Sequence, residues 1–189
     1  YFKDKSRTTY AFKRQCIEKT LYGVDIDSGA VEIAKLRLWL SLIVEEEEFK
    51  EIKPLPNLDY KIVCGNSLLE LPATSIRLGK IEKLKDQYTT ETHPEEKKHL
   101  KGQIDLSLHE LFQGTERNLG YKVNFDFKVN FSEIFSTNNS KGGFDIVIAN
   151  PPYVSTKGQS ISDKNAFKRI FGFADDLYSH FYFKGLQIT

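Results

Sequence analysis

"LYGVDIDSGAVEIAKLRLWLSLIV" runs from Leu21 to Val44. Its first six residues, Leu21 to Ile26, make a short apolar run that ends in acid, the pattern of a buried strand. Asp27 or Ser28 then offers a side-chain oxygen to the free N–H groups of a first helical turn. The Ala- and Leu-rich run that follows has only scattered polar residues, Glu32, Lys35, Arg37 and Ser41, so it predicts a largely buried helix. A loop marked by Pro54 and Pro56 leads to a second apolar run, "YKIVC" (Tyr60 to Cys64), closed by Gly65 and Asn66. Strand, helix and strand in this order predict a parallel pair, because parallel strands need a crossover connection.

Outward from this unit the chain alternates further. Residues 1–20 are polar, basic and helical in part. The acidic run Glu45 to Glu48 opposes the dipole at a helix C-terminus and reads as a solvated face. Residues 72–120 are charged, with Leu or Ile recurring at Ile76, Ile81, Leu84, Leu100, Ile104, Leu108 and Leu111. Two helices separated near His93 and Pro94 fit that spacing, and the segment reads as a helical insertion within one domain spanning 1–189. "YKVNFDFKVNF" (Tyr121 to Phe131) alternates apolar and polar without a fault, which predicts a half-buried strand. Gly142 and Gly143 turn into "FDIVIANPPY" (Phe144 to Tyr153), a further strand with an abrupt ending. A polar loop and a helix from Asp175 to about Gln187 complete the chain.

Composition narrows the function classes. Lys and Arg number 27 against 26 Asp and Glu, so a basic surface, if any, is local. The 2 cysteines, Cys16 and Cys64, suggest neither a disulfide framework nor a zinc site and fit a reducing cytosol. His93, His99, His109 and His180 lack metal-ligand spacing and read as surface or packing residues, so no metal is expected. The longest apolar stretch, Leu38 to Val44, is too short to cross a bilayer. The chain contains no Met and reads as an internal piece of something longer.

In parallel α/β sheets ligands bind beyond the carboxyl ends of the strands. Asp25, Asn66 and Asn150 stand at three such ends. An acid there can accept hydrogen bonds from both hydroxyls of a ribose, and Asp27 is the better helix cap. Asn66 either reads the edge of an adenine ring or closes a turn. Asn150 differs, because Pro151 and Pro152 each remove an N–H donor and fix φ. The result is a stiff bracket of carbonyls beside the Asn150 side-chain oxygen, an acceptor array suited to an amino group. Tyr153 adds a flat face. A strand-terminating turn would need only one proline.

"FDIVIANPPY" resembles the catalytic motif of amino-group methyltransferases that use S-adenosylmethionine. Together with "YGVDIDSGAVEIAKLRLWLSL", "CGNSLL", "FDFKVNFSEIF", "NPPYVSTKG" and "FADDLYSHFYFKGLQ", it is similar to the adenine-specific methyltransferase region of type IIS and IIG restriction-modification enzymes. The resemblance implies a Rossmann-like α/β methyltransferase fold and methyl transfer to adenine N6 in double-stranded DNA, with the target base flipped out. Asp25 would bind the cofactor ribose, Ile26 would pack on its adenine, Asn66 would contact that adenine's amino group, and Ser67 would belong to the same cofactor-binding set. Asn150 and the Pro151 carbonyl, stiffened by Pro152, would accept from the target amino group, and Tyr153 would stack on the base. A prokaryotic cytoplasmic location, a linked endonuclease and a target-recognition domain outside this chain also follow from it.

The pattern departs from the family in one respect. No glycine precedes Gly23, so the family's first strand and its Gly-rich loop are absent and the fold is expected to be incomplete. "YKVNFDFKVNF" is then the candidate substitute strand beside "FDIVIA"; the competing expectation leaves it at an outer edge, with another copy of the chain filling the slot. Lys157, Lys164, Lys168 and Arg169 either touch phosphates or line a solvated loop. Asp175 and Asp176 either match a family motif or cap the following helix. Other acceptors remain open, namely a protein glutamine, an RNA base or cytosine N4, as does a non-catalytic scaffold subunit.

Overall fold

The computed structural model describes residues 8–45, 57–72, 79–135 and 142–189. The loop read at Pro54 and Pro56, Ile76, and the acids from Glu46 to Glu48 lie outside these residues. The chain divides into two compact units, Tyr1–Gly65 and Asn66–Thr189.

The first unit has the order α1 (Thr9–Lys19), β1 (Gly23–Asp25), α2 (Ser28–Ile43) and β2 (Ile62–Cys64). β1 and β2 pair in parallel, with Gly23 opposite Ile62, Val24 opposite Val63 and Asp25 opposite Cys64. Glycine suits the first position, since a Cβ on Gly23 would lie 3.2 Å from Ile62 Cδ1. Asp27 is the cap of α2, its Oδ1 accepting from Ala30 N at 2.7 Å. A small core of Ile17, Val31, Leu42, Leu58 and Ile62 lies beneath, with Tyr10, Ala34 and Leu38 packed on it.

The expectation that α2 is largely buried is corrected here. Only Val31 and Leu42 are buried, while Ile33, Leu36 and Leu40 face solvent. A helix is covered all round only when elements pack on every side. In this unit α1, β1 and β2 cover one side of it.

In the second unit α3 (Gly79–Thr90) and α4 (Pro94–Phe112) form a pair, and the break falls at His93, with Pro94 opening α4. Proline suits that place because its missing N–H has no intrahelical partner there. α5 (Thr115–Leu119) sits between Gly114 and Gly120, both with positive φ. Two single-turn helices follow, α6 (Phe127–Asn130) and α7 (Ser132–Phe135), then α8 (Ile161–Phe171) and α9 (Leu177–Ile188). The core gathers Leu68, Leu69, Leu71, Ile81, Tyr121, Val123, Val129, Ala166 and Phe167.

Two expected strands are not formed. "YKVNFDFKVNF" does bury Tyr121, Val123, Phe125, Val129 and Phe131, but Asp126 is buried as well and the chain turns into α6. The Asp126 carboxylate accepts from Lys128 N and Val129 N, and such a cap competes with a ladder. Its aromatic rings stack edge to face, Phe125 on Phe127 at 4.9 Å and on Phe131 at 5.4 Å. Burying the Phe125 and Phe131 rings contributes roughly 1.5–3 kcal/mol each.

Phe144 to Ala149 makes no ladder among the described residues, and residues 123–129 do not pair with it, so the substitute-strand expectation fails. The contact between the two segments is aromatic: the Phe144 ring meets Phe127 at 6.4 Å and Phe131 at 6.1 Å. An apolar run becomes a strand only with a hydrogen-bonded neighbour. Here the segment is anchored on α9 by Phe144 N donating to Ile188 O at 2.8 Å. The expected α/β architecture is thus present as one parallel βαβ unit, and the remainder of the described chain is mostly helical.

Candidate active site

Within the first unit, Asp25 closes β1 and is exposed, as is Ile26 after it. The Asp25 carbonyl accepts from Gly65 N at 2.8 Å, which holds the carboxyl ends of the two strands together. Its side-chain Oδ1 accepts from Asp27 N at 2.9 Å, and Oδ2 has no partner among the described residues. Cys64 Sγ donates to Ile26 O at 3.4 Å. These bonds fix the backbone around an acid that keeps one oxygen for another donor.

In the second unit, Asn66 is held from both sides. Its N–H donates to Asn124 Oδ1 at 3.0 Å, and its own Oδ1 closes a turn by accepting from Leu68 N at 3.0 Å. The turn reading of Asn66 is therefore realised, and its Nδ2 has no partner among the described residues. Ser67 is half-buried in that turn.

Asn124 and Asp126 are the residues that sequence reasoning missed. Both belong to the polar face of the supposed strand: Asn124 stays exposed and meets the Asn66 N–H, while Asp126 is buried and turns inward on Leu71. Asp126 Oδ2 accepts from Leu71 N at 2.8 Å. Burial pushes the Asp126 carboxyl up, against the pull of the Leu71, Lys128 and Val129 N–H groups. Lys85, also buried, donates to Val129 O at 3.2 Å and Asn130 O at 2.5 Å, the last carbonyls of α6. Desolvation lowers its pKa, although Glu133 and Glu82 oppose that. The signal lay in the residue type alone: an acid between two phenylalanines is an N-cap as readily as a strand position.

Asn150 to Tyr153 stands clear of the core. Asn150 and Pro152 are exposed, Pro151 is half-buried, and Tyr153 is 96% exposed. The Pro152 carbonyl is taken by Val154 N at 2.9 Å. The Asn150 side chain and the Pro151 carbonyl have no partner among the described residues. Two acceptors thus sit side by side in the chain with an open aromatic face close after them. No hydrogen bond among the described residues joins Asn66 or Ser67 to Asn150–Tyr153. A cavity of about 230 Å³ lined by Glu70, Asp126, Phe127, Lys128, Lys184, Gln187 and Ile188 includes none of these predicted residues.

Of the basic residues after the motif, Arg169 is committed to Leu119 O at 2.6 Å, at the end of α5. Lys157 and Lys168 are exposed and Lys164 is half-buried. His180 is fully buried, packed against Phe167, Phe171 and Phe173 with ring centroids 4.5, 5.1 and 5.0 Å away. No group of three or more His, Cys, Asp or Glu capable of holding a metal occurs among the described residues. No helix among them is long and apolar enough to cross a membrane.

Residues 19–189 match the Eco57I restriction-modification methylase family. The chain belongs to that family. A Methanocaldococcus jannaschii protein named as a type II restriction enzyme and methyltransferase is 53% identical over 64 residues, which are 32% of this chain and 5% of that protein. The chain therefore corresponds to a small share of that relative's length. No solved structure matches it. The family assignment bears out the restriction-modification resemblance drawn from the NPPY and strand–helix motifs.

Proposed function

We propose that this member of the Eco57I restriction-modification methylase family is part of a DNA methyltransferase acting on adenine N6 with S-adenosylmethionine, in a Rossmann-like fold. The observation that carries the reading is the pair of unpartnered acceptors at Asn150 and Pro151, beside an aromatic face that is 96% exposed. An exocyclic amine is a poor nucleophile because its lone pair is delocalised into the ring. Two acceptors on its N–H groups draw electron density back to nitrogen and stabilise the positive charge that develops on attack. Asn150 and the Pro151 carbonyl hold the amine, and Tyr153 receives the flipped base by stacking, worth about 1–3 kcal/mol. Flipping itself costs roughly a few kcal/mol.

The residues present fit the cofactor. In the first unit Asp25 keeps a free carboxylate oxygen at a strand end for ribose hydroxyls and Ile26 is exposed for packing on the adenine; in the second unit, taken by itself, the Asn66 turn is held by Asn124. When bound, S-adenosylmethionine supplies an electrophilic methyl group on a sulfonium. Duplex DNA is the partner, the cytoplasm of a prokaryote the location, and endonuclease and target-recognition domains the linked parts.

The test uses the intact protein with labelled cofactor, offered DNA, RNA or protein. Label should enter adenine in DNA. Asn150→Ala should abolish transfer while cofactor affinity persists, and Asp25→Ala should weaken cofactor binding first. Collapse of cofactor affinity in the Asn150 variant, or label in protein or RNA alone, overturns the assignment.

A further inference from the structure

Asp176 occupies the N-cap position of α9, with φ −60° and ψ 147°, yet its side chain makes no capping bond to that helix. Its Oδ1 instead reaches across to residue 156 and accepts both Thr156 N at 2.6 Å and Thr156 Oγ1 at 3.0 Å. The free N–H at the start of α9 is used in the same direction, with Leu177 N donating to Val154 O at 3.0 Å. Gln159, itself buried, adds a third tie through Nε2 to Asp175 O at 2.7 Å. Four bonds thus gather the segment just after Tyr153 onto the N-terminal end of α9.

The other end of the motif is held on the same helix, where Phe144 N meets Ile188 O at 2.8 Å. Between these anchors Asp145 to Asn150 makes no hydrogen bond among the described residues. The position of Asn150 and Tyr153 is therefore set by how firmly the two ends are tied. Asp176 gives the downstream tie its charge: a carboxylate accepting two donors makes shorter and stronger bonds than a neutral acceptor. It spends on the loop what a helix cap would spend on α9.

We infer that Asp176 is the positioning residue of the acceptor bracket, acting through Thr156 on Asn150 and Tyr153. The inference rests on the methyl-acceptor reading given above. In near-attack chemistry a displacement of about 1 Å at the reacting groups costs on the order of 100-fold in rate. Loss of the tie should therefore appear in the chemical step and leave cofactor binding alone.

Asp176→Ala, Asp176→Asn and Thr156→Val are compared with the parent in the intact protein. The readouts are single-turnover methyl transfer to DNA, cofactor affinity, and the fluorescence of 2-aminopurine placed at the target base. Asp176→Ala should slow single turnover by ~10–100-fold, weaken the stacked-base signal, and leave cofactor affinity within about twofold. Asp176→Asn, which keeps an oxygen for both Thr156 donors, should stay within about threefold of the parent. Thr156→Val, which loses only the hydroxyl bond, should fall between them. Parental turnover in Asp176→Ala overturns the inference. So does equal damage in Asp176→Asn, or a loss in both Asp176 variants that tracks thermal unfolding and cofactor affinity alike. Asn150→Ala separates the two levels: if it retains parental transfer, the acceptor-site reading fails; if it is dead while Asp176→Ala is parental, only the positioning role fails.

Discussion

Removing the Asp126 carboxylate should destabilise the protein by about 2 kcal/mol, from bonds that can be counted one by one. Asp126 is buried and its Oδ2 accepts from Leu71 N, while Oδ1 accepts from Lys128 N at 2.9 Å and Val129 N at 3.3 Å. In Asp126→Ala the buried Leu71 N–H is left unsatisfied, at roughly 1–3 kcal/mol. Losing the cap of α6 adds about 0.5–2 kcal/mol. Relief of a penalised buried charge offsets part of this sum, since burial raises the Asp126 pKa. Asp126→Asn presents one oxygen and one NH₂ to two sets of donors, so one set loses its acceptor, at roughly 1–3 kcal/mol. Urea unfolding followed by far-UV circular dichroism reads the effect as a midpoint shift of about 1 M, taking a slope near 2 kcal/mol per M. The pH dependence has a definite sign. Because the folded pKa lies above the ordinary 3.8, the stability from this group is fully present below 3.8 and is lost as pH rises through the folded value. The gap between parent and Asp126→Ala should thus be widest at the acid end. A midpoint within about 0.25 M of the parent, or a gap that widens with rising pH, refutes the reasoning.

Lys85 works in the opposite sense: its folded pKa lies below 10.5, so its contribution is present above 10.5 and lost as pH falls through the folded value. The stability difference between parent and Lys85→Met should accordingly rise from neutral pH towards 10.5, as checked by urea midpoints in a pH series. Gly143→Ala should lower the melting temperature, because Gly143 has φ 151° and a Cβ there would lie 2.7 Å from Thr189 O; the cost is about 1–3 kcal/mol. Tyr153→Ala should leave the melting temperature unchanged, since the ring is 96% exposed, while it weakens the stacked-base signal of 2-aminopurine DNA by about 1–3 kcal/mol.

What the sequence by itself determined is local. The strand, cap and helix of "LYGVDIDSGAVEIAKLRLWLSLIV" form where periodicity and Asp27 place them, and their parallel partner "YKIVC" follows from connection length. The helix break at His93–Pro94 was legible for the same reason, because a proline acts within one turn. The stiff backbone after Asn150 was legible from two prolines, which constrain their own φ whatever surrounds them.

Tertiary structure decided what each pattern meets. Apolar alternation states which side chains are buried, and residues 121–131 do bury theirs; it does not state whether a neighbouring backbone supplies hydrogen bonds. Phe144 to Ala149 lacks such a neighbour among the described residues and is anchored on α9 instead. Asp126 and Asp176 show the same division. Each has the residue type and spacing of an N-cap, but the first caps α6 and also holds Leu71, 55 residues away, and the second caps nothing and holds Thr156. A carboxylate accepts whichever donors the folded chain brings within reach, and that choice depends on distances through space that no one-dimensional pattern contains.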